Sequence, residues 1–196
     1  MEAARCKPFA QPGLAGIGRL HPLDIVHHRP TCESQASVIG GGTSSRLWQK
    51  VREQRGLAYS VGASPAMFND CGLFTVFAGT SPEQVGEVID IVMDEMRWIV
   101  RNGVTETELR LMKDQARASI LLGLEDSAGR ASSLAQCEMV HGHQIPVEET
   151  LSNLEAVTPA DVHDVAKEFF RTDAVAFAAI GPIDESSIGR DRLGIL

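Results

Sequence analysis

The sequence has 196 residues, of which 43% are hydrophobic. This length and content are typical of one compact domain that buries its apolar side chains without disulfides or a structural metal. Acidic residues outnumber basic residues by 26 to 18, which gives a formal charge of -8. A surface of that sign repels the phosphates of nucleic acid, so the composition excludes nucleic acid as an expected partner.

Cysteine usage and hydropathy indicate the compartment. The four cysteines lie far apart and form no C-x-x-C pair, as is typical of a chain in the reducing cytoplasm. No apolar run approaches the roughly 20 residues that span a bilayer, and the N-terminus has no apolar stretch of a signal peptide. We therefore expect a cytoplasmic chain with no membrane partner.

The first 38 residues contain several prolines and show neither the two-residue period of a strand nor the 3.6-residue period of a helix. They are predicted to form an irregular N-terminal arm, residues 1–38. The patterned part of the chain, residues 39–183, is predicted to be the domain. Residues 184–196 are predicted to be a polar C-terminal tail.

Three glycines and three hydroxyl residues, Gly40 to Ser45, precede a segment that carries Leu47, Trp48 and Val51 on one helical face. The hydroxyls are candidate N-caps for a helix that is predicted to end near Gly56. The spacing matches neither G-x-x-x-x-G-K-[ST] nor G-x-G-x-x-G, so a phosphate-binding loop is the weaker alternative. The preferred interpretation is a tight turn into the helix, with room for another backbone to pass close by.

The pattern after residue 56 predicts two strands, a series of helices and a final strand. Residues 57–63 and 71–80 are rich in apolar, aromatic and β-branched residues and are predicted to be neighbouring strands. Apolar faces and capping residues predict helices over 82–102, 105–125, 128–142, 147–157 and 158–170. Residues 174–181 are predicted to be a last, buried strand. This order favours an α+β fold with two layers, a mostly antiparallel sheet with helices packed on one face.

Arg52 and Tyr59 are the candidate site residues that spacing indicates. Arg52 lies in the last turn of the predicted helix, the chain can reverse at Gly56, and Tyr59 begins the following strand. Both side chains can therefore reach one point in space. A guanidinium and a phenol that converge on a carbonyl can hold it and donate hydrogen bonds to an oxyanion. The alternative is a solvated basic helix face that Arg52 shares with three other basic residues.

Histidine and cysteine form no complete metal site in the sequence. Cys137 and His141 lie four residues apart on a predicted helix, with His143 close behind, but a zinc site needs a third ligand in a defined place. His27 and His28 are interpreted as a surface pair in the arm. The motifs H-E-x-x-H and H-x-x-E-H do not occur. The sequence therefore predicts no metal ligand and no cofactor in this chain.

Residues 40–61, GGGTSSRLWQKVREQRGLAYSV, resemble the stretch that opens the C-terminal domain of the insulinase-like zinc peptidases. This is the group of pitrilysin, mitochondrial processing peptidase and their bacterial relatives. The resemblance continues through the following segments of the same domain, especially in the short bacterial members. It covers residues 71–96, 103–142, 154–170 and 174–182. The resemblance is specific, because the motifs agree in both order and spacing.

The resemblance implies a function that this chain shares with a partner. In that family two homologous α+β domains enclose a chamber, and the N-terminal one carries H-x-x-E-H and the zinc. The C-terminal one contributes an arginine and a tyrosine seven residues apart, a pair that Arg52 and Tyr59 match. The resemblance implies that this chain is the substrate-binding half of a zinc-dependent endopeptidase. Arg52 and Tyr59 are then its catalytic residues, and a zinc-bearing domain on another chain completes the site.

Two departures from the family pattern limit this expectation. The zinc motif is absent, so hydrolysis of a peptide substrate needs a zinc-bearing N-terminal domain or a homologous subunit, and a homodimer is a further assembly to consider. Residues 1–38 do not resemble the apolar strand and helix that precede the glycines in the family. The alternative function is a catalytically inactive scaffold subunit of the same fold, in which Arg52 and Tyr59 serve only packing.

Overall fold

The structure is a computed structural model that describes residues 13–18, 20–21, 25–67, 72–183 and 188–195. The strands in these ranges are β1 (Gly13–Gly18), β2 (Leu20–His21), β3 (Ala58–Met67), β4 (Gly72–Thr80) and β5 (Ala176–Ile180). The α-helices are α1 (Ile25–Gly40), α2 (Val85–Asn102), α3 (Glu106–Gly123), α4 (Ser127–His141), α5 (Val147–Ala156) and α6 (Pro159–Phe169). A π-helix, Trp48–Glu53, lies between α1 and β3.

The strands form one antiparallel sheet in which β4 is central. β3 pairs with one edge of β4, and β1 and β2 pair with the other edge. β5 pairs with the far edge of β1. The order across the sheet is therefore β3, β4, β1, β5, and the first and last of these lie at opposite ends. The predicted pair of neighbouring strands is confirmed as the hairpin of β3 and β4.

One face of the sheet packs against the helices. Five residues of β3 and β4 that point to this face are buried, namely Val61, Ala63, Phe74, Val76 and Ala78. The apolar face of α2 and the end of α6 cover them, and the Phe74 and Phe170 rings meet edge to face at 5.1 Å. This arrangement confirms the predicted α+β fold. By contrast, α4 contributes no buried residue to the core.

Local capping signals start α3 and α6 as predicted. The Thr105 hydroxyl accepts from the Glu108 backbone N–H, and the Glu108 carboxylate accepts from the Thr105 backbone N–H. Thr158 and Asp161 form the same reciprocal pair at α6. Hydrogen bonds from the Thr158 hydroxyl and backbone N–H hold the pKa of Asp161 below its usual value. Because each box satisfies N–H groups within one turn, neighbouring residues suffice to predict it.

The prediction of an irregular arm at residues 1–38 is wrong for its described part. Residues 13–18 form β1, which lies inside the sheet between β4 and β5, and α1 begins at Ile25. The strand was missed because three of its six residues are glycine, which weakens any strand pattern. The helix was missed because Pro30 interrupts its second turn and no apolar period is present. Residues 1–12 lie outside the described residues.

The C-terminal strand and tail also differ from prediction. β5 was predicted to be buried, but Ala176, Ala178 and Ala179 are exposed and Ile180 is 76% exposed. The strand is exposed because, among the described strands, only β1 pairs with it. The predicted polar tail docks instead, since Ile195 is buried in the core. Apolar composition alone therefore did not distinguish a covered strand from an uncovered one.

The glycine run lets α1 approach β3 closely, in agreement with the preferred interpretation of the sequence. A Cβ atom at Gly40 would lie 2.3 Å from the backbone nitrogen of Ala63. The predicted capping by a hydroxyl side chain is wrong for Ser45, whose Oγ is buried and has no hydrogen-bond partner among the described residues. Its backbone carbonyl accepts the hydrogen bond from the Gln49 N–H instead, at 3.0 Å.

Gly56 reverses the chain between the π-helix and β3, with a φ of 62°. A Cβ atom at this position would contact nothing, so Gly56→Ala introduces backbone strain alone. We expect this variant to lower the free energy of unfolding by about 1–2 kcal/mol. Gly123→Ala is the matched control, because it has equal space without a positive φ and is expected to stabilise by about 0.5 kcal/mol. Urea denaturation measures the free energy of unfolding of both variants. If both substitutions stabilise the protein, or both destabilise it, Gly56 does not relieve backbone strain at this turn.

Candidate functional site

Arg52 projects from the π-helix and stacks on an aromatic ring. Its guanidinium carbon lies 4.1 Å from the centroid of the Trp48 ring, one turn earlier. Trp48 Nε1 donates to Glu53 Oε1 at 3.0 Å, which orients the indole. A cation–π contact at such a site contributes about 0.5–1 kcal/mol. The wide turn of the π-helix, a feature often found at functional sites, thus presents Arg52 on a fixed platform.

Tyr59 lies in a β-bulge at the start of β3. Ala58 pairs with Thr80 and Ser60 pairs with Gly79, so Tyr59 is the extra residue with no partner on β4. A bulge turns a side chain away from the direction that regular pairing would give it. Tyr59 is 83% exposed as a result. The phenol is therefore held at the end of the sheet and open to solvent.

These two local features bring Arg52 and Tyr59 together. The Arg52 guanidinium carbon lies 5.5 Å from the centroid of the Tyr59 ring. The predicted convergence of the two side chains is thus present in the structure, while their catalytic role remains a prediction. The guanidinium supplies five N–H donors and the phenol supplies one O–H donor. Such a set of donors can bind a carbonyl, a carboxylate or an oxyanion.

Glu95 joins two of the neighbouring basic residues to α2. Arg46 Nη1 donates to one Glu95 oxygen at 3.4 Å, and Lys50 Nζ donates to the other. Arg46 also makes two hydrogen bonds to the Glu108 carboxylate, at 2.7 and 3.0 Å. The Arg46 guanidinium carbon lies 3.7 Å above the Trp98 ring. These contacts fix the π-helix, through Lys50, and the residues just before it, through Arg46.

Arg52 differs from the three other basic residues of its segment. Arg46 and Lys50 pair with carboxylates as described, and Arg55 pairs with Glu87 at 3.1 Å. Within the described part of the chain, no ion pair engages Arg52. The alternative of a solvated basic helix face does not describe Arg46, whose side chain is only 14% exposed. Among the residues that the structure describes, Arg52 is thus the cation of this segment that no carboxylate engages, and it can meet an external acceptor.

The ionised form of Glu108 stabilises this network. Burial opposes ionisation of Glu108, but hydrogen bonds from Arg46 and Thr105 outweigh it and hold the pKa of Glu108 below its usual value. Because the folded pKa is lowered, the stabilisation is present above the unfolded pKa of about 4.3 and is lost as the pH falls through the folded pKa. The network is thus complete at neutral pH.

The other candidate groups do not gather into a site. Within the described ranges, no three His, Cys, Asp or Glu residues lie together as a metal-binding group. Cys137 and His141 are half-buried, the thiol of Cys137 is free, and the His141 and His143 rings lie 6.3 Å apart. His27 and His28 belong to α1, and their side chains lie outside the described residues. None of the described helices is both long and apolar enough to cross a membrane.

Two residues that support the pair were not assigned to the site from the sequence. Trp48 was interpreted as part of an apolar helix face, although an aromatic residue four positions before an arginine signals a contact on one helix. Glu95 gave no such signal, because it is distant in sequence from the basic residues it binds and lies within the apolar face of α2.

Comparisons of sequence place the chain in a family. Residues 31–116 match the family model described as the peptidase M16 inactive domain. An uncharacterized zinc protease of Streptomyces coelicolor is 39% identical over 154 residues, which cover 79% of this chain and 33% of that protein. An uncharacterized zinc protease of Mycobacterium tuberculosis is 39% identical over 155 residues, which cover 79% of this chain and 35% of that protein. The chain thus spans about a third of the length of these relatives.

Solved structures share the fold. A protease from Helicobacter pylori superimposes on this chain with a TM-score of 0.80 at 18% sequence identity. The match covers 90% of this chain and 43% of that protein. A peptidase M16 inactive domain from Pseudomonas fluorescens superimposes with a TM-score of 0.77 at 20% sequence identity. This match covers 88% of this chain and 42% of that protein. The family match and the relatives confirm the resemblance found in the sequence. The chain therefore carries the inactive, C-terminal domain of the peptidase M16 family, the insulinase-like zinc peptidases.

Proposed function

We propose that this chain is the substrate-binding half of a zinc-dependent endopeptidase, completed by a zinc-bearing H-x-x-E-H domain on another chain. The observation that carries the proposal is the contact of Arg52 with Tyr59. Arg52 has no carboxylate partner within the described residues, and Tyr59 is exposed. Two donors that no described carboxylate satisfies therefore meet at one open position.

The pair is suited to a peptide bond. The Arg52 guanidinium carbon lies over the Trp48 ring, and no described carboxylate takes its N–H groups, so they can hold a substrate carbonyl. The Tyr59 phenol can donate a hydrogen bond to the oxyanion that develops when a carbonyl is attacked. Donors that are already in place before the reaction stabilise such charge most effectively, because they need no reorganisation.

The zinc ion is assigned to the partner and not to this chain. Among the described residues, no three His, Cys, Asp or Glu side chains lie together as a metal-binding group. The relatives are described as zinc proteases and are about three times longer than the matched segment, which leaves room for a further domain in each. This supports a partner domain or homologous subunit as the source of the metal.

Mixing this chain with a zinc-bearing H-x-x-E-H domain is expected to produce cleavage of an unstructured peptide that neither chain produces alone. Arg52→Ala is expected to raise the KM of the mixture about tenfold or more, because a charged hydrogen bond to substrate is lost. Arg110→Ala, which removes the same charge from an exposed position of α3, is the control and should leave KM unchanged. A complex that forms but never cleaves peptide would favour the inactive scaffold.

A further inference from the structure

We infer that β5 is the surface through which two copies of this chain associate, by antiparallel pairing of β5 with β5 of a second copy. The inference is independent of the proposed function. Tyr59 belongs to β3, which lies at the opposite end of the sheet from β5. Pairing at β5 therefore leaves the candidate site accessible.

The outer edge of β5 lacks the usual protection of an edge strand. β1 pairs with one side of β5, and none of the described strands pairs with the other. Natural proteins guard such edges with charged residues, proline or bulges. Residues Ala176–Ile180 contain no charge and no proline, and their register with β1 is unbroken. The edge is thus competent to accept another strand.

The exposure pattern of β5 favours a strand as the occupant. Phe177 packs partly against the core, and Ala179, which points to the same face, is exposed. Ala178 and Ile180 point to the opposite face and are exposed as well. A helix would cover one of these faces only. A strand added alongside covers apolar surface on both faces and also satisfies the free backbone groups.

Charge and shape favour a second copy as the source of that strand. Each copy carries a formal charge of -8, so most surfaces of two copies repel each other, whereas residues 174–182 are uncharged. A two-fold axis at Ala178 places Phe177 opposite Ala179 and Ala176 opposite Ile180, so that each large side chain faces a small one. Such an interface is isologous and closes at two chains.

Sedimentation velocity of the whole chain at about 1 to 200 µM tests the inference, and a species of twice the chain mass is expected. Ala178→Lys brings two ammonium groups together at the two-fold axis and is expected to weaken the dimer about 100-fold or more. Because Ala178 is exposed, the variant should fold, with an unchanged circular dichroism spectrum. Ile180→Lys, also exposed, provides a second variant with the same expected direction.

Leu122→Lys is the matched control, because it adds the same charge at an exposed apolar position on α3. It should remain as dimeric as the wild type. Three results would overturn the inference: a wild-type chain that stays monomeric throughout, β5 variants that stay dimeric, or a Leu122→Lys chain that dissociates. The last result would place the interface at α3 instead.

Discussion

Tyr59→Phe is expected to lower the kcat of the assembled peptidase by about 100- to 1,000-fold, with little change in KM. The substitution removes the phenol O–H and keeps the ring that lies 5.5 Å from the Arg52 guanidinium. A hydrogen bond to an oxyanion is stronger than one to a neutral carbonyl, so the loss falls on the transition state more than on the bound substrate. Initial rates with an unstructured peptide measure both constants.

The isolated chain offers a structural control for that variant. Tyr59 is the single tyrosine of the sequence, so the NMR signals of ring-labelled tyrosine report on this residue alone. They should shift in Arg52→Lys, which alters the guanidinium beside the ring, and stay in place in Arg110→Ala. The proposed role of the phenol is wrong if Tyr59→Phe turns over peptide at the wild-type rate, or if its defect lies in KM alone.

Glu95→Ala is expected to lower the free energy of unfolding by about 3 kcal/mol. The Glu95 side chain is only 4% exposed, and its two oxygens bind Arg46 and Lys50. Its removal leaves a cavity and takes one partner from Arg46, whose side chain is itself only 14% exposed. Because Arg46 and Lys50 precede Arg52 on the same segment, the variant should also loosen the candidate site. Urea denaturation monitored by circular dichroism measures the loss.

Glu87→Ala is the matched control for burial. Glu87 also lies on α2 and also forms an ion pair, with Arg55 at 3.1 Å, but its side chain is 53% exposed. Solvent screens such a pair, so the expected loss is about 0.5 kcal/mol or less. If the two variants lose equal stability, burial is not what gives the Glu95 contacts their strength.

Features set by neighbouring residues were predictable from the sequence. The capping boxes at Thr105 and Thr158 each depend on residues three positions apart. The convergence of Arg52 and Tyr59 was also predictable in outline, because only a glycine turn separates their two elements. The bulge that exposes Tyr59 was not, since it depends on how β3 aligns with β4 across the sheet.

Features set by distant contacts were missed. β1 exists as a strand because β4 and β5 pair with both of its edges, which its glycine-rich sequence does not reveal. Glu95 looks from the sequence like a polar interruption of an apolar helix face, and its role appears only when Arg46 and Lys50 are placed beside it. In each case the decisive partner lies far along the chain.

The absence of buried side chains in α4 has a consequence for the dynamics of the domain. A helix of 15 residues is marginal in water unless tertiary packing supports it, and α4 receives no such support from the core. Its local unfolding therefore costs far less than global unfolding, and its amide hydrogens should exchange early. Helix α4 can thus unfold and refold locally. The sheet, and the residues at the two ends of the sheet, keep their positions meanwhile.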